Sequence, residues 1–229
     1  MDGRGAPNAR GLQYVHDTLL CAYGPQHWWP TQDAEQPRFE VLVGAVLTQH
    51  TAWTNVERAI ANLRAAGPLT PDALLAHADL PTLIRRAGPH HVKAERLRAL
   101  CRWLLAHGGL AVLDAWQTPA LRRDLLSVRG VGAETADAIL LYAFGRPQFV
   151  ADAYAFRLFE RYGWWSGPRR YERLRQTVEA VGPATAAFYD ELHALIVAHA
   201  RGRCHKRRPD CAHCALRDRC DHGRATLQR

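Results

Sequence analysis

The chain has 229 residues, enough for one sizeable core or two smaller ones, and its 30 lysines and arginines against 22 acids leave a net charge of +8. Such an excess favours polyanionic partners, nucleic acid first and an anionic membrane surface second. The longest apolar stretch, FEVLVGAVL, is about half the ~20 residues of a spanning helix, and MDGRGAPNAR lacks the apolar core of a signal peptide, so no membrane span and a cytoplasmic protein are expected.

Helical periodicity runs along the chain. Cys21 and, further on, Cys101 fall on apolar helical faces and read as small buried hydrophobes. Trp28 and Trp29 read as adjacent helical positions, which cannot both face one core. Val56, Ala59, Ile60 and Leu63 follow the i, i+3, i+4, i+7 pattern; Leu97, Leu100, Cys101, Leu104 and Leu105 repeat it, as do Ala136, Ile139, Leu140, Ala143 and Phe144. Breaks fall at Gly67-Pro68, Gly88-Pro89, Gly108-Gly109, Gly145-Arg146-Pro147, Gly167-Pro168 and Gly182-Pro183. Thr70, Thr118 and Asp152 read as helix caps. Trp164-Trp165 read as packing. No alternating run is long enough for a sheet, so an all-α fold of about ten helices is expected.

Residues 201–229 hold nine of the basic residues against three acids, a net of +6, and with them Cys204, Cys211, Cys214 and Cys220 in C-x6-C-x2-C-x5-C spacing. Thiolates packed this closely in a reducing compartment imply a metal that holds them together. Zinc favours paired C-x2-C knuckles, and only one pair is present. Four thiolates with uneven loops suit the larger iron–sulfur cube, which is placed ahead of zinc. His205 and His213 are then left for the surface.

LLSVRGVGAETADAILLYA, residues 125–143, reads as helix, tight turn, helix. Gly130 and Gly132 permit backbone angles closed to other residues and a close approach, and the second helix aims free N–H groups at whatever lies above the turn, a ready phosphate site.

Together, the hairpin, an aspartate twenty residues past Gly132 and the cysteine tail resemble the helix-hairpin-helix DNA glycosylase superfamily, endonuclease III branch, over residues 28 to 220. HWWPTQDAEQPRFEVLVGAVLTQHTAW and GVGAETADAILLYA are similar to the 3-methyladenine DNA glycosylase III type, which lacks such a tail. The resemblance implies a six-helix barrel domain over 31–146 carrying the hairpin. Residues 1–30 and 147–229 would form a terminal domain with a 4Fe-4S cluster on Cys204, Cys211, Cys214 and Cys220, the active site lying in the cleft between the two. The implied partner is double-stranded DNA containing damaged bases, met by a monomer with no membrane attachment.

The same resemblance assigns roles. Asp152 stabilises the oxocarbenium and activates water. Glu134 stands where endonuclease III has its Schiff-base lysine, which disfavours strand cleavage; its plainer role is an acid in a first helical turn, worth ~0.3–1 kcal/mol, and the catalytic role implied by its place in the family's cleft is contacting the damaged base or positioning water. Gly44 stands where adenine-removing relatives carry an acidic residue that protonates the leaving base. A base alkylated on a ring nitrogen is already cationic and leaves without that help, and Trp28, Trp29 and Trp53, with Tyr154, provide electron-rich faces for it. Gln49 takes the wedge position, while Arg129, Gly130, Gly132 and Thr135 embrace phosphates. The function implied is monofunctional excision of alkylated, 3-methyladenine-like bases. Excision of mismatched uracil or thymine, or of oxidised pyrimidines, and catalytically silent lesion binding are the alternatives.

Overall fold

The computed structural model describes residues 5–227, whose regular elements are all helices, with no strand among them. In chain order the helices are α1 (Ala9–Tyr23), α2 (Pro37–Leu47), α3 (Trp53–Ala66), α4 (Pro71–Ala76), α5 (Leu80–Leu83), a 3-10 turn (Arg85–Ala87), α6 (His90–Ala106), α7 (Leu110–Asp114), α8 (Thr118–Ser127), α9 (Ala133–Tyr142), α10 (Ala153–Tyr162), α11 (Tyr171–Glu179), α12 (Ala186–Gly202) and α13 (Asp221–Leu227). The helices beyond the ten expected are short ones such as α4, α5 and α7, in the connecting segments. Pro71 and Pro81 pre-set helical φ at the starts of α4 and α5, where a missing N–H costs nothing. No helix among the described residues is long and apolar enough to cross a membrane.

The chain divides into two compact units, residues 29–146 and residues 1–28 with 147–229. In the first, α2 buries every residue from Phe39 to Leu47 and packs against α3, α6 and α9. A helix apolar on all sides belongs in the middle of a core. Its one charged buried residue, Glu40, accepts the backbone N–H groups of Gln32 (2.8 Å) and Asp33 (2.7 Å) and so staples the incoming loop. Lys93, from α6, is 1 % exposed and donates to Leu47 O (2.6 Å), Thr51 Oγ1 (2.7 Å) and Ala87 O (2.7 Å), placing its cation at the negative end of α2. Burial, and then the charge of Arg96, pull its ammonium down to about 8. The four-residue stripe of α3 is buried, as are Leu97, Leu100, Cys101 and Leu104 of α6; Leu105, expected in the same stripe, is 41 % exposed. Trp29 belongs to this unit because its ring packs against α2.

The other unit joins both ends of the chain. α1 packs on α12, α12 on α10, and α10 on α13. Asn8 caps α1 by accepting from Gly11 N (2.9 Å), and Leu12, Val15 and Leu19 form the buried face. Cys21 is exposed, contrary to expectation, because two residues past Leu19 a helix has turned that position toward solvent; Cys101 is buried as expected. Trp164 and Trp165 are both buried.

Candidate active site and cysteine centre

The hairpin is built by α8, residues 128–132 and α9. The two helices are clamped by Asp137, 0 % exposed, whose carboxylate receives Arg122 Nε at 2.7 Å and Nη2 at 3.0 Å. Gly130 has φ +90°, and a Cβ there would overlap the Arg96 side chain, so glycine is required on two counts. Gly132, expected to need the same freedom, has φ −92° and ψ 179°, ordinary extended backbone, with open space where a Cβ would stand. Neither strain nor packing within the chain asks for glycine there.

Gln49, two residues past α2, is tied to this turn. Its Nε2 donates to Gly130 O (3.0 Å) and Thr135 Oγ1 (2.9 Å), and its Oε1 accepts from Arg96 Nη1. Thr135 is buried at 7 % exposure, and its hydroxyl oxygen accepts from Gln49 while keeping its own O–H to donate. Arg129 and Glu134 are exposed, Glu134 in the first turn of α9. Arg96 escaped sequence reasoning: a helical arginine looks like any solvated charge until the turn is folded beside it.

Asp152 caps α10. Its Oδ1 accepts from Ala155 N at 2.7 Å, and its Oδ2 lies 3.7 Å from His193 Nε2 on α12. The aspartate side chain is 12 % exposed and the histidine 10 %. One turn before His193, burial and then Glu191 push the Asp190 carboxyl up to about 6, against a downward pull from His193. Tyr154 is half-buried, with the Arg157 guanidinium 5.0 Å above its ring.

Trp28 and Trp29, expected at adjacent helical positions, lie instead in the irregular segment between α1 and α2, where the proline at position 30 and the sharp glycine at position 24 break the pattern. Trp29 meets Trp53 edge-on at 5.1 Å and Tyr142 at 5.2 Å, and all three pack against the core of their unit. Its ring also covers Gly44: a Cβ there would come within 2.8 Å of Trp29 Cζ2. Trp28 is half-buried.

In the terminal unit, the four tail cysteines line one common, partly open space, together with Arg161, His199 and Gly223. Arg161 Nη1 donates to Cys204 Sγ (3.1 Å), Gly223 N to Cys220 Sγ (3.5 Å), and His199 Nε2 lies 3.8 Å from Cys214 Sγ. Burial pushes the Cys220 thiol up to about 11 and raises that of Cys214 as well, so ionising them requires a cation among them. Among the described residues no three or more His, Cys, Asp or Glu are grouped as a site for a single metal ion. N–H groups aimed at sulfur and four cysteines around a common space fit a larger sulfur-ligated group. His205 and His213 are exposed, as expected.

The HhH-GPD superfamily base excision DNA repair protein family matches residues 43–184. The chain is 40% identical over 213 residues to a candidate DNA repair glycosylase of Methanocaldococcus jannaschii, covering 90% of this chain and 94% of that protein. A solved endonuclease III trapped as a covalent intermediate with DNA superposes with a TM-score of 0.80 at 22% identity, over 96% of this chain and 99% of the other. The H. pylori 3-methyladenine DNA glycosylase bound to 1,N6-ethenoadenine gives 0.69 at 26% identity, over 85% and 98%. The turn between α8 and α9 lies inside the matched span, and the chain belongs to the HhH-GPD superfamily of base excision DNA repair proteins, as a DNA glycosylase.

Proposed function

We propose that the protein is a monofunctional glycosylase that hydrolyses the N-glycosidic bond of alkylated, 3-methyladenine-like purines flipped from double-stranded DNA. The carrying observation is Gly44 beneath the Trp29 ring. The position at which adenine-removing relatives keep a proton donor is filled by an indole, so the leaving base must carry its own positive charge. Trp29 and Trp53 offer electron-rich faces suited to such a cation, and the similarity to the H. pylori enzyme points the same way. Trp28 and Tyr154 are proposed as further base-contacting side chains.

Asp152 stabilises the oxocarbenium and directs water; with Oδ1 engaged at Ala155, Oδ2 is the oxygen to do so. The N–H groups opening α9 at Gly130 and Gly132, with Arg129, hold phosphates, and Gln49 fills the space left by the flipped base. Strand cleavage needs a free amine. Glu134 is none, and of the chain's two lysines Lys93 is locked to three acceptors while Lys206 lies in the exposed loop between the first two cysteines. Cys204, Cys211, Cys214 and Cys220 would hold a 4Fe-4S cluster, which supplies cross-linking of a loop that has no helix of its own. Exposed large apolar side chains are few, Val92, Leu105, Val112 and Leu126 among the described residues, in keeping with a monomer.

The test is chromatography of bases released from methylated duplex DNA, with borohydride trapping alongside. Release of methylated purines without a trapped adduct is expected. Equal release of uracil or unmodified adenine, or a covalent adduct, overturns the proposal.

A further inference from the structure

Asp152 commits Oδ1 to the first turn of α10, which leaves Oδ2 facing His193 Nε2 at 3.7 Å. That gap is slightly longer than a hydrogen bond, as pairings at reaction centres often are before substrate closes them. His193 is only 8 % exposed on α12, a helix whose packing against α10 fixes where the ring can stand. Apolar residues of the same size fill such a place at lower cost, because burying an imidazole removes its water.

We infer that His193 is a positioning residue for Asp152, directing an Nε2–H at Oδ2 so that the carboxylate is held in one orientation, turned toward the reacting sugar. The inference rests on the glycosylase reading of Asp152. The backbone N–H of Ala155 and the ring of His193 then hold one oxygen each, fixing the carboxylate plane from two helices. Misplacing a reacting group by an ångström can cost two orders of magnitude in rate, which makes such a two-point hold consequential.

The experiment compares wild type, Asp152→Asn, His193→Gln and His193→Phe in single-turnover release from methylated duplex DNA, with affinity for abasic-site duplex and thermal midpoint measured in parallel. His193→Phe is expected to lower the release rate about tenfold to a hundredfold while affinity for abasic DNA is unchanged. His193→Gln, which retains an N–H at similar reach, is expected to recover most of the rate. A side chain that only packs α12 would lower the midpoint and show no such recovery. Wild-type release in both His193 variants, with Asp152→Asn inactive, overturns the inference and leaves the role of Asp152 standing. Release by Asp152→Asn at the wild-type rate overturns that role and the inference with it. Should His193→Phe not fold, His193→Leu takes its place as the variant without an N–H: slow release in it with recovery in His193→Gln supports the inference, and equal rates in the two sink it.

Discussion

Gly44 lies inside α2, where helix propensity alone makes alanine better by about 0.8–1.0 kcal/mol. The Trp29 ring reverses that preference, since even a methyl group would press to 2.8 Å of Cζ2 in a packed core. Gly44→Ala is therefore expected to destabilise by about 1–3 kcal/mol in a thermal or denaturant melt, and a stabilised variant would show that the indole yields easily. Asp152 separates cap from chemistry in a similar way. Asparagine caps a helix about as well as aspartate, so Asp152→Asn should leave stability nearly unchanged and abolish base release, with DNA binding retained. Loss of stability together with activity would mean that the side chain serves mainly as a cap.

α8 and α9 are held by one buried ion pair, so the hairpin's geometry depends on a side chain a full helix away from the turn. Arg122→Ala removes the arginine from a carboxylate that is 0 % exposed, and losing one side of such a pair costs about 3–5 kcal/mol. Weaker DNA binding should accompany the loss; an unfolding midpoint equal to wild type would show that Asp137 finds other partners. The arginine–glutamine–turn contact works at the same scale, since Gln49, Arg96 and Gly130 come from three different elements and order one loop between them.

For the whole chain, the terminal unit draws α1 from one end and α10 to α13 from the other, and its last segment folds around cysteines more than around apolar side chains. Residues 203–220 contain no helix, and Leu216 is the one large aliphatic side chain buried there. Cys220→Ala is expected to remove bound iron and labile sulfide and to lower the unfolding midpoint, read by metal analysis and by calorimetry. A protein that keeps its iron, or that carries zinc in its place, contradicts a four-cysteine cluster.

The sequence by itself determined that the chain is helical, which apolar stripes turn inward, where the hairpin falls and that four cysteines share one loop. These are local properties: a period of 3.6, a glycine beside a helix start and a spacing are all written along a few residues. The tertiary structure alone decided that Trp29 covers Gly44, that the buried Thr135 hydroxyl accepts from Gln49, that Lys93 is locked away and that His193 faces Asp152. The pairs Trp29 with Gly44 and Asp152 with His193 are 15 and 41 positions apart, and no repeat or period links such positions. Only packing side chains from separate helices to near-crystalline density brings them within contact distance.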